Sequence, residues 1–308
     1  MRSSLTVTCK VFCVNRRALA PIATLTALGA LAPALSGCQA VDSIVDYFGP
    51  RPDEALVGLG RSADADAQQL AAVDPHASQL RSEQADALYA EVERLCGRNE
   101  KGAAPRSCEV QRDPQAADQE PAAENIDVIE VMDQAAVHTR DALSEVSAES
   151  RALVTNQAII LDAWEPSQLP ESPELDPSEA ARARELLEWE YEQVYGLDFA
   201  RSYAAPSMEE NIDDRLEMHE KRIAALQKAL APLGEVPQPA PAYEPTPEEM
   251  PLPSDAASAQ AFVDHLGWND SLEWSSAASQ AAAPTAEGEE RVAWRNWLIA
   301  VAAQSRGL

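Results

Sequence analysis

The sequence of 308 residues predicts an all-α protein. Alanine is abundant, whereas the chain has only 12 Gly and 4 Phe. No run alternates β-branched residues with polar ones, as the strands of a half-buried sheet would. All six Trp lie at or after Trp164, and large aromatic side chains contribute much of the area that a core buries. We therefore expect helices throughout, with the better-packed core in the second half.

The first 38 residues resemble a lipoprotein leader. Basic residues come first, an apolar run covers residues 18–35, and Leu35-Ser36-Gly37-Cys38 closes it. A basic region, an apolar region and a small-residue junction are typical of a secretory signal. The junction resembles a bacterial lipobox, which implies that residues 1–37 are a signal peptide and that Cys38 is lipidated. The expected location is the outer face of the cytoplasmic membrane.

Two alternatives for the leader stay open. An uncleaved membrane helix is the first, although an apolar core of about 18 residues is near the lower limit for spanning a bilayer. The second concerns the start of translation, which could lie at Val14. Cys9 and Cys13 would then be absent from the protein.

The charge of the chain limits its partners. It carries 24 Lys and Arg against 51 Asp and Glu, a net charge of −27. Such a charge repels nucleic acid phosphates and anionic lipid. The sequence therefore predicts no nucleic acid partner, attachment to the membrane through the lipid at Cys38, and an envelope protein of unknown identity as the partner.

Cys96 and Cys108 are the two cysteines that follow the lipobox. An even pair in an exported chain predicts a disulfide. No His or second Cys pair stands nearby to form a metal site, and the spacing is not the Cys-x-x-Cys of redox-active sites. We expect the bond to staple the polar segment between them.

The first half divides into a tether and a helical pair. Residues 38–61 read as the tether, and residues 62–165 as two long helices joined by a stapled loop. The first helix covers residues 62–95 and is expected to break at Asp74-Pro75, since proline inside a helix removes a hydrogen bond. The second is expected over residues 124–164, because apolar residues recur there at helical spacing.

The second half predicts four helices after a proline-rich linker at residues 166–175, which marks the expected domain boundary. Asp176-Pro177-Ser178-Glu179 is a strong helix start. Helices are expected at residues 176–205, 207–234, 254–283 and 285–305, with a proline-rich connection at residues 235–253. Two helices, a long connection and two more helices are the layout of a ferritin-like up-down four-helix bundle with a long crossover, here at residues 176–308.

Short motifs in this half resemble a known family. Residues 190–196 (Glu-Tyr-Glu-Gln-Val-Tyr-Gly), then His219 with Arg222 and Leu226, then the proline-rich residues 237–243, resemble the ferritin-like domain of unknown function in actinobacterial secreted proteins and lipoproteins. The resemblance covers most of the mature chain. It implies a four-helix bundle and no established activity.

Two further points concern this resemblance. Residues 95–97 (Leu-Cys-Gly) resemble the end of an upstream helix in such lipoproteins. Ala224 stands where an acidic residue of the His-containing motif is expected. Any ion pair that relies on that acidic residue is therefore absent here.

Glu190 and His219 are polar members of otherwise apolar helical stripes. Both lie at similar distances from the turn near Pro206, so an antiparallel hairpin would bring them to one level. A carboxylate buried alone is costly, and an imidazole partner offsets that cost. The sequence favours a structural pair. A metal-binding or ligand role and the exposure of one partner stay open.

A ferritin-type di-iron site does not fit the sequence. Such a site needs a Glu from each of two helices and Glu-x-x-His from each of the others. Leu216 stands three residues before His219, where the motif requires Glu. Ala293 stands three residues after Glu290, where the motif requires His. The metal site that remains possible from the sequence is a single iron or manganese ion held by Glu190, His219 and Glu273.

No phosphate-binding loop, nucleophile elbow, calcium loop or zinc-protease motif occurs in the chain. The sequence therefore favours a protein without enzymatic activity or cofactor, a metal-free bundle that serves as an interaction or accessory module. The alternatives are a metal-binding or redox ferritin-like protein and a protein that binds a small ligand between its helices.

Overall fold

A computed structural model describes residues 49–98, 102, 104–112, 126–165, 168–243, 251–283 and 291–306. These residues contain eight α-helices and no strand, which confirms the all-α prediction. The helices are α1 (Glu54–Leu70), α2 (Pro75–Cys96), α3 (Val128–Asp141), α4 (Arg151–Asp162), α5 (Ala180–Arg201), α6 (Glu209–Leu230), α7 (Ala256–Ala282) and α8 (Val292–Arg306). Within the described ranges, no helix combines the length and the apolar character needed to cross a membrane. The predicted signal peptide and Cys38 lie outside the described residues.

Helices α1 and α2 form a hairpin with capped starts. The side chain of Asp53 accepts hydrogen bonds from two backbone N–H groups of the first turn of α1, and Asp74 does the same for α2. Pro75 occupies the first turn of α2, where its missing N–H costs nothing. The predicted break at Asp74-Pro75 is confirmed.

The predicted tether is too long. Helix α1 begins at Glu54, so residues 54–61 are helical rather than extended. Leu56 and Leu59 lie in the core, and burying such side chains favours the helix by roughly 1.5–3 kcal/mol each.

The predicted long helix over residues 124–164 is two helices. Short 3₁₀ turns at Ala142–Ser144 and Ala148–Ser150 separate α3 from α4. The backbone N–H of Ser147 donates to the carboxylate of Asp53, 3.0 Å away and far off in the sequence. This tertiary contact replaces the helical hydrogen bond, and the pattern of apolar residues alone does not reveal it. Residues 124 and 125, where the helix was expected to begin, lie outside the described residues.

The structure joins Cys96 and Cys108 in a disulfide, with their Cα atoms 6.3 Å apart. Cys96 ends α2, and Cys108 ends the 3₁₀ turn Arg106–Cys108. Both cysteines are buried in the main apolar core. The bond therefore fixes the polar segment after α2 to the core.

Removal of this disulfide is expected to lower the free energy of unfolding by roughly 3 kcal/mol, because the bond restricts a loop of about a dozen residues in the unfolded chain. Urea unfolding of the Cys96→Ser/Cys108→Ser variant, beside the wild-type chain with and without reductant, measures the loss. Reduced wild type should match the variant. Equal stability of the oxidised chain and the variant would refute the expectation.

Helices α5 and α6 form one antiparallel hairpin, and α7 and α8 form another. The connection between the hairpins is tied to α5. The guanidinium of Arg184 donates to the carbonyls of Leu233 and Glu235, 3.1 and 3.0 Å away. The hydroxyl of Tyr191 donates to the carbonyl of Pro237, 3.1 Å away. These contacts hold the start of the proline-rich connection across the bundle.

One apolar core spans both halves of the chain. Helix α4 packs against α7 and α8, and α5 also packs against α7. The core includes Leu88 and Val154 from the first half with Trp274 and Trp297 from the second. The domain boundary expected at residues 166–175 therefore does not separate two cores.

Candidate functional site

Glu190 and His219 meet inside the α5–α6 hairpin. Glu190 lies on the inner stripe of α5 with Leu186 and Leu187, and it is fully buried. His219 lies on the inner stripe of α6 and is 3% exposed. Nδ1 of His219 is 2.7 Å from Oε2 of Glu190. The structure thus brings together the two residues that hairpin geometry predicts to be at one level.

Arg222, one turn after His219, supplies the positive charge of the site. Its side chain is fully buried. Nη1 lies 3.5 Å from Oε1 of Glu190 and 2.9 Å from Oδ2 of Asp270 on α7. Nη2 donates to the hydroxyl of Ser305 and to the carbonyl of Val301, both on α8. One guanidinium therefore connects all four helices of the second half.

Two indoles complete the site. The N–H of Trp274 donates to Oε1 of Glu190 at 2.9 Å, and the N–H of Trp189 donates to Oδ1 of Asp270 at 3.2 Å. Each of the four carboxylate oxygens thus has a hydrogen-bond partner. The guanidinium of Arg222 also lies 5.5 Å from the ring centroid of Trp274, within the range of a cation–π contact. We call Glu190, His219, Arg222 and Asp270 the buried charge cluster.

Glu273 does not belong to this cluster, which corrects the predicted ligand set. Its carboxylate pairs with Arg182 at 2.6 Å and is 30% exposed. The buried stripe of α7 advances in steps of four through Leu266, Asp270 and Trp274. Glu273 lies at the edge of that stripe, where solvent and Arg182 reach it. The carboxylate that α7 contributes is Asp270.

The pKa of Asp270 shows the electrostatic balance of the cluster. Burial alone raises the pKa of this carboxyl, because the charged form is desolvated. The charges of Arg222 and His219, with hydrogen bonds from Arg222 and Ser305, outweigh burial and hold the pKa below its ordinary value of 3.8. The ionised carboxylate is therefore the form that the fold stabilises.

This shift predicts a loss of stability in acid. A carboxyl whose pKa is lower in the folded than in the unfolded chain stabilises the fold above the unfolded pKa, and this contribution disappears as the pH falls through the folded pKa. Asp270→Asn removes the titrating group. The difference in unfolding free energy between wild type and this variant should be largest near about pH 6 and shrink toward about pH 2. Urea unfolding at several pH values measures it, and a constant difference would contradict the assignment.

Sequence reasoning missed Arg222 as a member of the cluster and chose the wrong carboxylate on α7. A signal for Arg222 existed, since Arg215, His219, Arg222 and Leu226 recur at helical spacing on one face of α6. Arginine is seldom fully buried unless it is paired, so its position on an apolar stripe indicated a carboxylate partner. Spacing alone did not favour Asp270 over Glu273, which is only three residues away.

Three cavities on the described surface do not reach the buried charge cluster. They measure about 710, 560 and 420 Å³. None of the three is lined by Glu190, His219 or Asp270. The arrangement can hold charges and fix helices relative to one another, but it presents no group to a substrate in these cavities.

Neither a family model, nor a curated protein, nor a solved structure matches this chain. The resemblance to the ferritin-like domain family therefore stays a prediction from the motifs. The buried charge cluster and the sequence of the leader are the two features of the chain that bear on its function.

Proposed function

We propose that this chain is a membrane-anchored lipoprotein of the cell envelope, whose ferritin-like bundle carries no metal and serves as an interaction or accessory module. The sequence around Cys38 supports the anchor and the location on the outer face of the cytoplasmic membrane. The two hairpins, α5–α6 and α7–α8, with a long connection between them, support the ferritin-like assignment. The partner is an envelope protein, and the net charge of −27 favours a cationic surface on it.

One observation carries the metal-free part of the proposal. Arg222 already supplies a cation to both carboxylates of the cluster, and every carboxylate oxygen has a donor. A metal ion bound to the same oxygens would displace those donors and lie against a guanidinium. Repulsion between two cations in a medium of low dielectric opposes this arrangement.

The same geometry favours a structural over a catalytic role for the cluster. General acid–base catalysis requires a group within hydrogen-bond reach of a substrate. Glu190 and Asp270 are fully buried or nearly so, and their oxygens are engaged by residues of the bundle. We infer that the cluster fixes the register of the four helices and that binding occurs on the surface of the bundle.

The second candidate is a metal-binding bundle. Glu190, His219 and Asp270 each offer a ligand atom, and these atoms lie within 4.8 Å of one another. No other group of three or more His, Cys, Asp or Glu with such spacing occurs in the part of the chain that the structure describes. Iron or manganese would suit a set of one imidazole and two carboxylates. Asp270 takes the place that Glu273 has in the ligand set predicted from sequence.

Expression of the full chain in an actinobacterial host tests both parts of the proposal. We expect the protein in the membrane fraction and labelled by a radioactive fatty acid, and Cys38→Ser without the label, because the substitution removes the thiol that carries the lipid. Elemental analysis of the detergent-purified protein should find iron, manganese and zinc far below one equivalent. Absence of the fatty-acid label from the wild type, or its presence on Cys38→Ser, would refute the lipid anchor, and a stoichiometric metal lost in Glu190→Gln would refute the metal-free module.

A further inference from the structure

We propose that the buried charge cluster is a divalent-cation site in which the guanidinium of Arg222 occupies the cation position. A chain without that guanidinium should bind a first-row divalent ion through Glu190, His219 and Asp270. The inference rests on the proposed function in one respect, namely that the native chain carries no metal there.

The distances between the ligand atoms suit a single ion. Bonds from a divalent ion such as zinc to imidazole nitrogen and carboxylate oxygen measure about 2.0–2.2 Å. Two ligand atoms on one ion therefore lie at most about 4.4 Å apart. Three equivalent ligand atoms on one ion lie about 3.5 Å apart. The three ligand atoms in the cluster lie within 4.8 Å of one another, so shifts of up to about an ångström complete the site. The ligands come from three packed helices, which limits how far they can drift.

The guanidinium of Arg222 lies where a metal ion bound to the two carboxylates would lie. Its Nη1 lies between carboxylate oxygens of Asp270 and Glu190, 2.9 and 3.5 Å away. Its Nε is buried without a hydrogen-bond partner in the described part of the chain. The guanidinium thus contacts both carboxylates while one of its own donors goes unused. This arrangement indicates that its charge, more than complete hydrogen bonding, is what the position requires.

Removing Arg222 leaves two buried carboxylates with only His219 beside them to supply a positive charge. Such an arrangement is costly in a low-dielectric interior. A proton or a cation from solution would offset the cost, and we expect a divalent cation to do so where one is supplied. One imidazole and two carboxylates suit iron, manganese, cobalt or zinc. The volume vacated by the guanidinium would accommodate water as the remaining ligands.

Cobalt(II) alone is the probe for this site. We expect Arg222→Ala to bind one equivalent, with visible absorption of a low-symmetry site, and to melt about 5–10 °C higher at a hundredfold excess over Kd. Wild type should show neither change. Arg222→Lys keeps the positive charge and is the matched control, which should also bind no cobalt.

A second substitution tests the ligands. Adding His219→Gln or Asp270→Asn to Arg222→Ala should weaken cobalt binding by about tenfold or more. Glu273→Gln in the same background should leave the affinity unchanged, since that carboxylate faces Arg182.

The outcomes separate the two proposals. Stoichiometric cobalt in wild type, lost in Glu190→Gln, would overturn the metal-free function and the role of Arg222 together. A wild type without cobalt and an Arg222→Ala chain that also binds none would overturn the cation site alone. If Arg222→Ala is unfolded without metal, the site requires cobalt to refold it, and failure to do so contradicts the inference.

Discussion

Asp270→Asn is expected to lower the free energy of unfolding by about 3–5 kcal/mol near neutral pH. The substitution keeps the shape of the side chain but removes the negative charge opposite Arg222. The guanidinium is fully buried, so solvent cannot replace the lost partner. The substitution leaves the buried guanidinium with only Glu190, 3.5 Å away, as a counter-charge. The resulting loss exceeds the contribution of the Arg222–Asp270 ion pair itself. Urea unfolding followed by circular dichroism measures the loss.

Asp264→Asn is the matched control, because Asp264 lies on the same helix and faces solvent. Surface substitutions usually change stability by no more than about 0.5 kcal/mol. Equal losses in Asp270→Asn and Asp264→Asn would show that the cluster contributes nothing particular to the fold.

Trp274→Ala is expected to cost about 3–5 kcal/mol, the range for deleting a large buried aromatic side chain. Trp274 is fully buried and packs edge-on against Trp297, with ring centroids 5.8 Å apart. The substitution opens a cavity in the main apolar core, and it also removes the indole donor of Glu190. Thermal and urea unfolding measure the sum of these losses.

Two companion variants separate the contributions. Trp274→Phe keeps most of the volume and removes the donor, so we expect a loss of about 1–3 kcal/mol from the unsatisfied carboxylate oxygen. Trp268→Ala, on the same helix but 65% exposed, should change stability by less than about 0.5 kcal/mol. A loss for Trp268→Ala as large as that for Trp274→Ala would contradict the assignment of the core face of α7.

Local sequence signals account for much of the fold. Pro75 marked the break between α1 and α2 because its effect on the backbone does not depend on the rest of the chain. Alanine content and apolar spacing indicated helices. The break between α3 and α4 was not predicted from the sequence. At this break the backbone N–H of Ser147 donates to Asp53, which lies far away in the sequence. Contacts between residues far apart in sequence leave no local pattern.

Only the part of the site that lies within one hairpin could be predicted from the sequence. Glu190 and His219 follow from the geometry of one hairpin, which sequence distances from Pro206 define. Asp270 comes from a different hairpin, and its approach to Arg222 depends on how α7 rotates against α5 and α6. Asp270 and Glu273 lie about 60° apart around the helix axis. The rotation of α7 against its neighbours decides which of them faces inward, and side-chain spacing within α7 does not define that rotation.

A double-mutant cycle between Arg222→Met and Asp270→Asn measures whether Arg222 acts as the cation of the buried charge cluster. Each single variant should lose about 3–5 kcal/mol. The double variant should recover part of that loss, with a coupling energy of about 1.5 kcal/mol or more. Additivity within about 0.5 kcal/mol would show that the two charges do not depend on each other and that Arg222 is not the cation of the cluster.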